Sequence, residues 1–329
     1  MIRTLYTIIF TVIFCQLLTA QSVGIQGKPI AEIFTDFHYN LDDTTETTGF
    51  GLNRAYLGYN FQPAGNFSGS IILNIGSPDD LPEGAVRRRY AHFREASITY
   101  AKNKLSISFG ITDTHLFDFQ QKFWGKRYVA NTYQSINGYG YVADLGVALD
   151  YKFNDTWKCD FTIMNGEGYT DIQLDNGVKT SAGLIYTPVR QIAVRVYGDI
   201  ENLHDQWRYM LLVFFGFKND LITIGGEASY KTNLDMIAGH NAWGISGTAG
   251  INIFKKTELF VRYDYSNSVI IPGENAQWNW KNDGRFAVFG IQYTFNEYVK
   301  MALDYQGTYP YNTVNHNSDA IFVNAVFKF

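Results

Sequence analysis

The side chains with the clearest potential for chemistry in this sequence lie in one long segment, residues 113–137. Charged residues are interspersed there with large apolar ones, and the set comprises Asp113, His115, Leu116, Phe117, Asp118, Phe119, Lys122, Phe123, Trp124, Lys126 and Arg127. A connection of this length without a role of its own is uncommon. We expect the apolar side chains to hold the segment against a supporting wall and the cations to face charged solutes. The alternative is a cap lying outside the rest of the fold.

The residue types needed for catalysis or metal binding are present but poorly spaced. The six histidines are scattered along the chain, and none stands at a spacing typical of metal ligands. The acidic pairs Asp42-Asp43 and Asp79-Asp80 supply too few oxygen ligands for a divalent cation. We therefore expect no enzymatic activity and no cofactor.

The composition points to an ordered chain with an unusual number of rings. Of the 329 residues, 16% are aromatic and 18% are charged, whereas about a quarter of an ordinary soluble domain is charged. This composition excludes a disordered chain, a collagen and a coiled coil. The formal net charge of −4 provides no basic excess, so binding to nucleic acid is not expected.

Residues 1–20 have the order of a secretory signal peptide. Arg3 is followed by an apolar run over residues 8–18 and then by small residues. This run is shorter than the about 20 apolar residues of a transmembrane helix. Its removal would leave a mature chain, residues 21–329, with 26 basic and 31 acidic residues, a net charge of −5. Cys159 would then be the only cysteine, which rules out an internal disulfide.

The mature chain alternates apolar and polar residues almost throughout, as strands with two different faces do. Over residues 319–329, for example, one face carries Ile321, Val323, Ala325, Phe327 and Phe329. The turn signals between such runs divide the chain into about sixteen strands of roughly 9–12 residues, long enough to cross a bilayer when tilted. The predicted strands are 28–40, 49–61, 67–76, 90–101, 104–112, 138–153, 156–165, 178–187, 190–200, 207–218, 220–230, 243–254, 256–267, 284–295, 297–307 and 318–329.

The predicted connections alternate between short turns and long loops. The long loops are 41–48, 77–89, 113–137, 166–177, 201–206, 231–242, 268–283 and 308–317. An even number of antiparallel strands joined in this way is typical of an all-β, closed transmembrane barrel with short periplasmic turns and long extracellular loops. A soluble sandwich also alternates, but aromatic residues crowd the predicted strand ends, and only closure removes both sheet edges in lipid. We therefore predict one barrel domain over residues 21–329.

Strand parity assigns charged side chains to the inner face of this barrel. The inward set is mixed in sign and contains no basic ladder; it comprises Glu32, Asp36, His38, Arg54, Glu95, Lys104, Asp144, Asp150, Lys152, Lys158, Asp160, Arg195, Glu227, Glu258, Arg262, Asp264, Lys300, Asp304 and Lys328. About sixteen strands leave an aqueous channel that side chains do not fill. The residues we expect at its constriction are Asp36, Arg54, Asp118, Lys122, Lys126, Arg127, Arg195 and Arg262.

The sequence resembles Gram-negative outer-membrane porins, in particular the broad group that includes phosphate-selective porins O and P. The resemblance covers the mature chain in architecture. It is carried locally by Phe93-Arg94-Glu95-Ala96, by Phe123-Trp124-Gly125-Lys126-Arg127-Tyr128 and by the closing residues 322–329. Within the closing residues, Phe327 and Phe329 look like the signal that the barrel-assembly machinery recognises.

This resemblance implies passive diffusion of small hydrophilic solutes across the outer membrane, usually in trimers, with the third loop, 113–137, folded inward. It also implies contact with outer-membrane lipid and lipopolysaccharide. The basic run Arg87-Arg88-Arg89 would either bind lipopolysaccharide phosphates or be an ordinary solvated loop. The alternative function is a plugged barrel that serves a secretion or adhesion apparatus.

Overall fold

Alternating side chains form sixteen strands that close on themselves. The computed structural model describes residues 26–42, 48–63, 65–76, 89–203, 205–280, 283–311 and 317–329; the predicted signal peptide and most of loop 77–89 lie outside these ranges. The strands are β1 (Gln26–Asn40), β2 (Gly49–Gln62), β3 (Phe67–Ile75), β4 (Ala91–Lys102), β5 (Leu105–Asp113), β6 (Ala143–Lys152), β7 (Trp157–Met164), β8 (Val178–Val189), β9 (Ile192–Leu203), β10 (Gln206–Lys218), β11 (Ile222–Lys231), β12 (Ala242–Phe254), β13 (Thr257–Ser268), β14 (Gly284–Thr294), β15 (Val299–Pro310) and β16 (Ser318–Lys328).

Each strand pairs antiparallel with its chain neighbours, and β1 pairs with β16. The predicted closed barrel of sixteen antiparallel strands is therefore confirmed. Two predicted boundaries were wrong. The strand predicted over 138–153 begins at Ala143, because Tyr139 is buried in a cluster inside the barrel instead of continuing the wall. The loop predicted over 201–206 is only a tight connection, because Leu203 and Gln206 pair directly.

The outer face of the barrel is apolar along the middle of the strands. Large side chains such as Leu57, Phe109 and Leu303 are more than half exposed there, which is unusual for a protein surrounded by water. Aromatic pairs mark the ends of the strands: Trp157 stacks on Tyr186 at the short-turn end, with ring centroids 4.3 Å apart. Such rings suit a membrane interface. Within the described residues, no helix is long and apolar enough to cross a membrane.

The barrel closes through the chain end. In β16, Phe327 lies opposite Ile33 of β1. Beyond the strand, the Phe329 N–H donates to the Ala31 carbonyl at 2.8 Å, and the Ala31 N–H donates to the Phe329 carbonyl at 3.4 Å. The ring of Phe329 is exposed on the outside. Phe329 therefore contributes two backbone hydrogen bonds and an apolar ring to the seam, the place where β1 and β16 pair.

Deleting Phe329 is expected to lower the yield of closed barrel more than Phe329→Ala does. The deletion removes both seam hydrogen bonds and the ring, whereas alanine keeps the backbone bonds. The measurement is the fraction of protein that migrates as the compact band in an unheated detergent gel. Equal yields for the deletion, Phe329→Ala and the parent chain would contradict a role for this residue in assembly.

Residues 114–142, between β5 and β6, contain the two α-helices among the described residues. These are α1 (Asp118–Trp124) and α2 (Tyr133–Ile136). Helix α1 ends at Gly125, whose φ of 70° lies in the left-handed region that glycine adopts without strain. A short 3-10 turn, Leu234–Met236, lies between β11 and β12. We call residues 114–142 the inner segment, because its contacts are with the inner face of the wall.

Candidate functional site

The inner segment contacts inward-facing side chains on well-separated strands. Lys126 Nζ lies 2.6 Å from Glu258 Oε1 on β13, and the Tyr128 hydroxyl donates to Gln292 Oε1 on β14 at 2.8 Å. Gln134 Nε2 donates to Glu227 Oε2 on nearby β11 at 2.8 Å. On a distant strand, β2, Arg54 Nη2 donates to Asn131 Oδ1 at 3.4 Å. These contacts place the segment across the lumen.

Two arginines of the wall hold this segment by its carbonyl groups. Arg195 of β9 donates to both carboxylate oxygens of Asp160, at 2.6 and 2.9 Å, and to the His115 carbonyl at 2.9 Å. Its side chain is buried, with 1% of the residue exposed. A bidentate arginine–carboxylate pair is among the strongest polar contacts in proteins. Arg195 was expected at the constriction, and in the structure it anchors the segment.

Arg262 of β13 anchors the segment in the same way. It donates to the Asp264 carboxylate at 2.5–3.1 Å and to the Asn131 carbonyl. Its guanidinium also lies 4.9 Å from the ring centre of Trp124, a favourable cation–π contact. Only 2% of Arg262 is exposed. Alternation along the strands correctly predicted that Arg195 and Arg262 point inward. It did not predict that both are buried and paired with carboxylates.

One half of the lumen is closed by an apolar cluster. From the inner segment it contains Leu116, Phe117, Tyr133 and Tyr139, and from the wall Tyr197, Met210, Leu212, Phe214, Leu234 and Ala242. These wall residues lie on or beside β9 to β12. Burial raises the pKa of Tyr133 to about 12. On this side of the barrel, the described residues therefore fill the lumen with packed side chains.

Two cavities lie on the other side of the lumen. A cavity of about 350 Å³ opens towards the long loops and reaches Gly284 and Pro310 at the strand ends. A cavity of about 420 Å³ opens towards the short turns and reaches Tyr298 and Lys328. Both are lined by the same three residues, Phe34, Arg127 and Tyr128. These three residues therefore stand between the two cavities.

We call Phe34, Arg54, Tyr56, Arg127 and Tyr128 the eyelet. Arg54 lines the loop-side cavity and Tyr56 the turn-side cavity. The guanidinium groups of Arg54, Arg94 and Arg127 all lie close enough to Tyr56 to interact with it electrostatically. Among the described residues, Arg127 Nη2 is buried and has no hydrogen-bond partner. Because Arg127 lines both cavities, its positive charge can act on an anion in either of them.

Arg94 was not among the residues expected in the lumen. The register of β3 with β4 shifts by one residue between Ile72 and Leu73, so Ile72 faces Glu95 while Leu73 faces Phe93. Arg94 is the extra residue of this β-bulge, and bulges redirect side chains. It pairs with Asp113. Simple alternation assigns Arg94 to the lipid face, and no feature of the sequence marks the bulge.

The remaining expected site residues take different positions. Lys122 pairs with Asp118 at 2.7 Å, yet 72% of its side chain is exposed, and it lines the turn-side cavity. Burial lowers the pKa of Lys126, an effect that the charge and hydrogen bond of Glu258 only partly offset. Asp36 is buried, and its Oδ1 lies at hydrogen-bond distance, 2.7 Å, from His38 Nδ1.

Phe34, Tyr56 and Tyr128 were missed, although the sequence contains a signal for one of them. On β1, Phe34 stands between the inward polar residues Glu32 and Asp36. An aromatic residue at an inner-face position is a departure from the polar pattern and marks a place where a ring faces the lumen.

The start of the inner segment carries a titratable contact. Burial disfavours the charged form of His115, but the nearby negative charge of Asp150 helps to outweigh this effect, so the pKa of His115 is raised. Nε2 of His115 lies 3.5 Å from Asp150 Oδ2. The charges of Asp160 and Asp113 act in the same direction.

We expect the Asp150–His115 contact to stabilise the barrel at low pH only. A raised folded-state pKa gives stability that is fully present below the ordinary histidine value of about 6.5 and is lost as pH rises through the folded-state pKa. The unfolding temperature of the parent chain should therefore exceed that of His115→Gln at about pH 5.5 and approach it at about pH 9. Asp150→Asn should abolish this pH dependence. A difference that is constant with pH would contradict it.

Metal and thiol chemistry find little support in the described ranges. No group of three or more His, Cys, Asp or Glu residues there is placed to hold a metal ion. Cys159 is a free thiol on β7. Of the basic run, Arg87 and Arg88 lie outside the described residues, and Arg89 donates to the Leu52 carbonyl at 2.8 Å.

Comparison with known proteins agrees with this architecture. The sequence matches no family model and no curated protein. Among solved structures it is similar to Salmonella typhi OmpF in complex with daunomycin, with a TM-score of 0.69 and 13% identity over 94% of this chain and 99% of that one. The chain has the porin fold.

Other outer-membrane proteins show the same likeness. OmpT of Vibrio cholerae matches with a TM-score of 0.62 and 13% identity, covering 92% of this chain and 97% of that one. A mutant of Rh. blastica porin matches with a TM-score of 0.59 and 12% identity, covering 92% and 100%. The expected resemblance to outer-membrane porins is thus confirmed for the fold.

Proposed function

We propose that this chain forms a water-filled channel in the outer membrane of a Gram-negative bacterium. It would allow passive diffusion of small hydrophilic solutes and catalyse no reaction. The observation that carries this proposal is the pair of cavities, one open towards each end of the barrel, that share Phe34, Arg127 and Tyr128. The apolar outer face and the porin fold support the membrane location.

The charges along the path favour anions. The loop-side cavity is lined by Arg54, Arg127 and Arg285 against Asp264, which Arg262 already neutralises. The turn-side cavity is lined by Lys122, Arg127, Lys300 and Lys328 against Glu32 and Glu297. Rings of one sign of charge select the counter-ion. Arginine also binds phosphate with two parallel hydrogen bonds, which supports the finer proposal of a phosphate-selective channel.

The expected site residues divide into two roles in this proposal. Arg127, Arg54 and Lys122 face the path and act on the solute. Arg195, Arg262 and Lys126 hold the inner segment in place through the contacts described above. Asp118 pairs with Lys122 within α1, and Asp36 supports the inner face of β1. In this proposal the constriction is formed by residues 113–137 together with the wall strands β1 and β2.

Further partners follow from the same proposal. Outer-membrane lipid and lipopolysaccharide would surround the apolar face, and the barrel-assembly machinery would recognise the end that carries Phe327 and Phe329. A homotrimer is the expected assembly. One of the similar structures is described as the trimer form of Vibrio cholerae OmpT.

Recording from planar lipid bilayers tests the proposed function. Purified protein should produce stepwise current increases, and its reversal potential in a potassium chloride gradient should show that chloride is more permeant than potassium. A barrel that inserts, as judged by its heat-dependent gel migration, but gives no current would instead be a plugged scaffold for secretion or adhesion. Steps with a cation preference would retain the channel and reject the anion preference.

A further inference from the structure

The wall of the eyelet is aromatic as well as basic. Phe34, Tyr56 and Tyr128 all belong to one cluster inside the barrel, and their exposed fractions are 5%, 8% and 4%. The rings of Phe34 and Tyr56 meet edge to face, with centroids 6.2 Å apart. Further rings, those of Phe286 and Phe322, line the loop-side cavity. Small parts of several rings therefore border the space that a solute in either cavity would occupy.

The barrel register places rings and bases side by side at this point. Phe34 lies directly opposite Arg54 across the β1–β2 ladder, and Tyr56 lies opposite Glu32. Arg127 and Tyr128 are consecutive in the inner segment and line both cavities. Each guanidinium thus has an aromatic neighbour within the same short stretch of the path.

This combination discriminates between kinds of anion. Chloride, acetate or phosphate can use the guanidinium groups alone. A planar anion with an apolar face can in addition shed water against the rings and stack on them. Tyr128 also has its hydroxyl engaged with Gln292 Oε1, so its ring is fixed in orientation. The two cavities, about 350 and 420 Å³, fall within the size range of small-molecule sites.

We propose that the eyelet is a binding site for aromatic carboxylates, in which the guanidinium of Arg127 holds the carboxylate and the rings of Phe34 and Tyr128 hold the apolar face. The proposal rests on the proposed function, because it names the class of anion that the channel favours. Such a solute would enter from either cavity, since Arg127, Phe34 and Tyr128 border both.

The test measures how weak acids block the chloride current through single channels. In potassium chloride, added phenylacetate should halve the current at a concentration about tenfold lower than acetate does, because the ring is partly buried in the eyelet. Benzyl alcohol, which has the ring without the charge, should require a higher concentration than phenylacetate. Acetate and phenylacetate thus separate the contribution of the ring from that of the carboxylate.

Variants assign the two contributions to residues. Phe34→Leu should raise the half-blocking concentration of phenylacetate about fivefold and change that of acetate little. Arg127→Gln should weaken block by both acids. The matched control is Phe37→Leu on the same strand, which removes a ring from the lipid face and should leave both values as in the parent chain.

The outcomes separate this inference from the proposed function. Equal blocking concentrations for acetate and phenylacetate, in a channel that still prefers chloride, would overturn the aromatic site and leave the channel intact. A stronger block by phenylacetate that Phe34→Leu does not change would also overturn it. A protein that inserts and carries no current would overturn the proposed function and this inference with it.

Discussion

Arg127→Glu is expected to abolish most of the anion preference that we propose for this chain. The eyelet contains two guanidinium groups, those of Arg54 and Arg127, while the neighbouring Arg94 pairs with Asp113. The substitution leaves one charge of each sign, which can neutralise each other. We expect the permeability ratio of chloride to potassium to fall at least about fivefold, equivalent to about 1 kcal/mol of electrostatic free energy.

The measurement is the reversal potential in a salt gradient. Lys122→Glu provides the comparison, because this lysine lines the wider turn-side cavity and its side chain is 72% exposed. Solvent screens its charge, so its effect should have the same sign and be clearly smaller. An unchanged reversal potential for Arg127→Glu would show that the inner segment does not line the ion path.

Arg262→Met is expected to destabilise the barrel and to enlarge the channel. The substitution removes the donor to the Asn131 carbonyl and the contact with Trp124, which together hold the inner segment. It also leaves Asp264 buried without its partner, and breaking a buried pair in this way costs about 3–5 kcal/mol. We expect a lower unfolding temperature and a larger, noisier single-channel conductance.

A double variant separates these two effects. In Arg262→Met with Asp264→Leu no buried charge is left unpaired, so stability should largely recover. The segment still lacks its anchor, so the conductance should stay high. A conductance equal to that of the parent chain in both variants would mean that Arg262 does not position the inner segment.

The strands were predictable because alternation with a period of two follows directly from the pleat of a half-buried strand. The prediction from this pattern was wrong where a residue that continues the alternation in sequence lies inside the barrel and not in its wall. Tyr139 continues the alternation of β6 in sequence, but in the structure it is buried in the cluster of the inner segment, against which Val142 also packs. That packing depends on residues far away in the chain, which alternation cannot reveal.

The inner face was predictable, but the partners of its charges were not. Asp160 on β7 and Arg195 on β9 are separated by β8, yet they form a bidentate pair. Gly183 of β8 makes room for it, since a Cβ there would lie 2.4 Å from Asp160 Oδ1. Whether a lumen cation is free or neutralised therefore depends on the register and on the size of an intervening residue.

The apolar cluster between the inner segment and β9 to β12 has a consequence for how such a protein diversifies. Because that cluster fills about half of the lumen, the number of strands sets the outer diameter of the barrel but does not set its permeability. In the proposed channel, substitutions at the eyelet can change which solutes cross without disturbing the strand register, the lipid-facing side chains or the β1–β16 pairing. The residues of the eyelet and the residues of the barrel wall can therefore evolve at different rates within one chain.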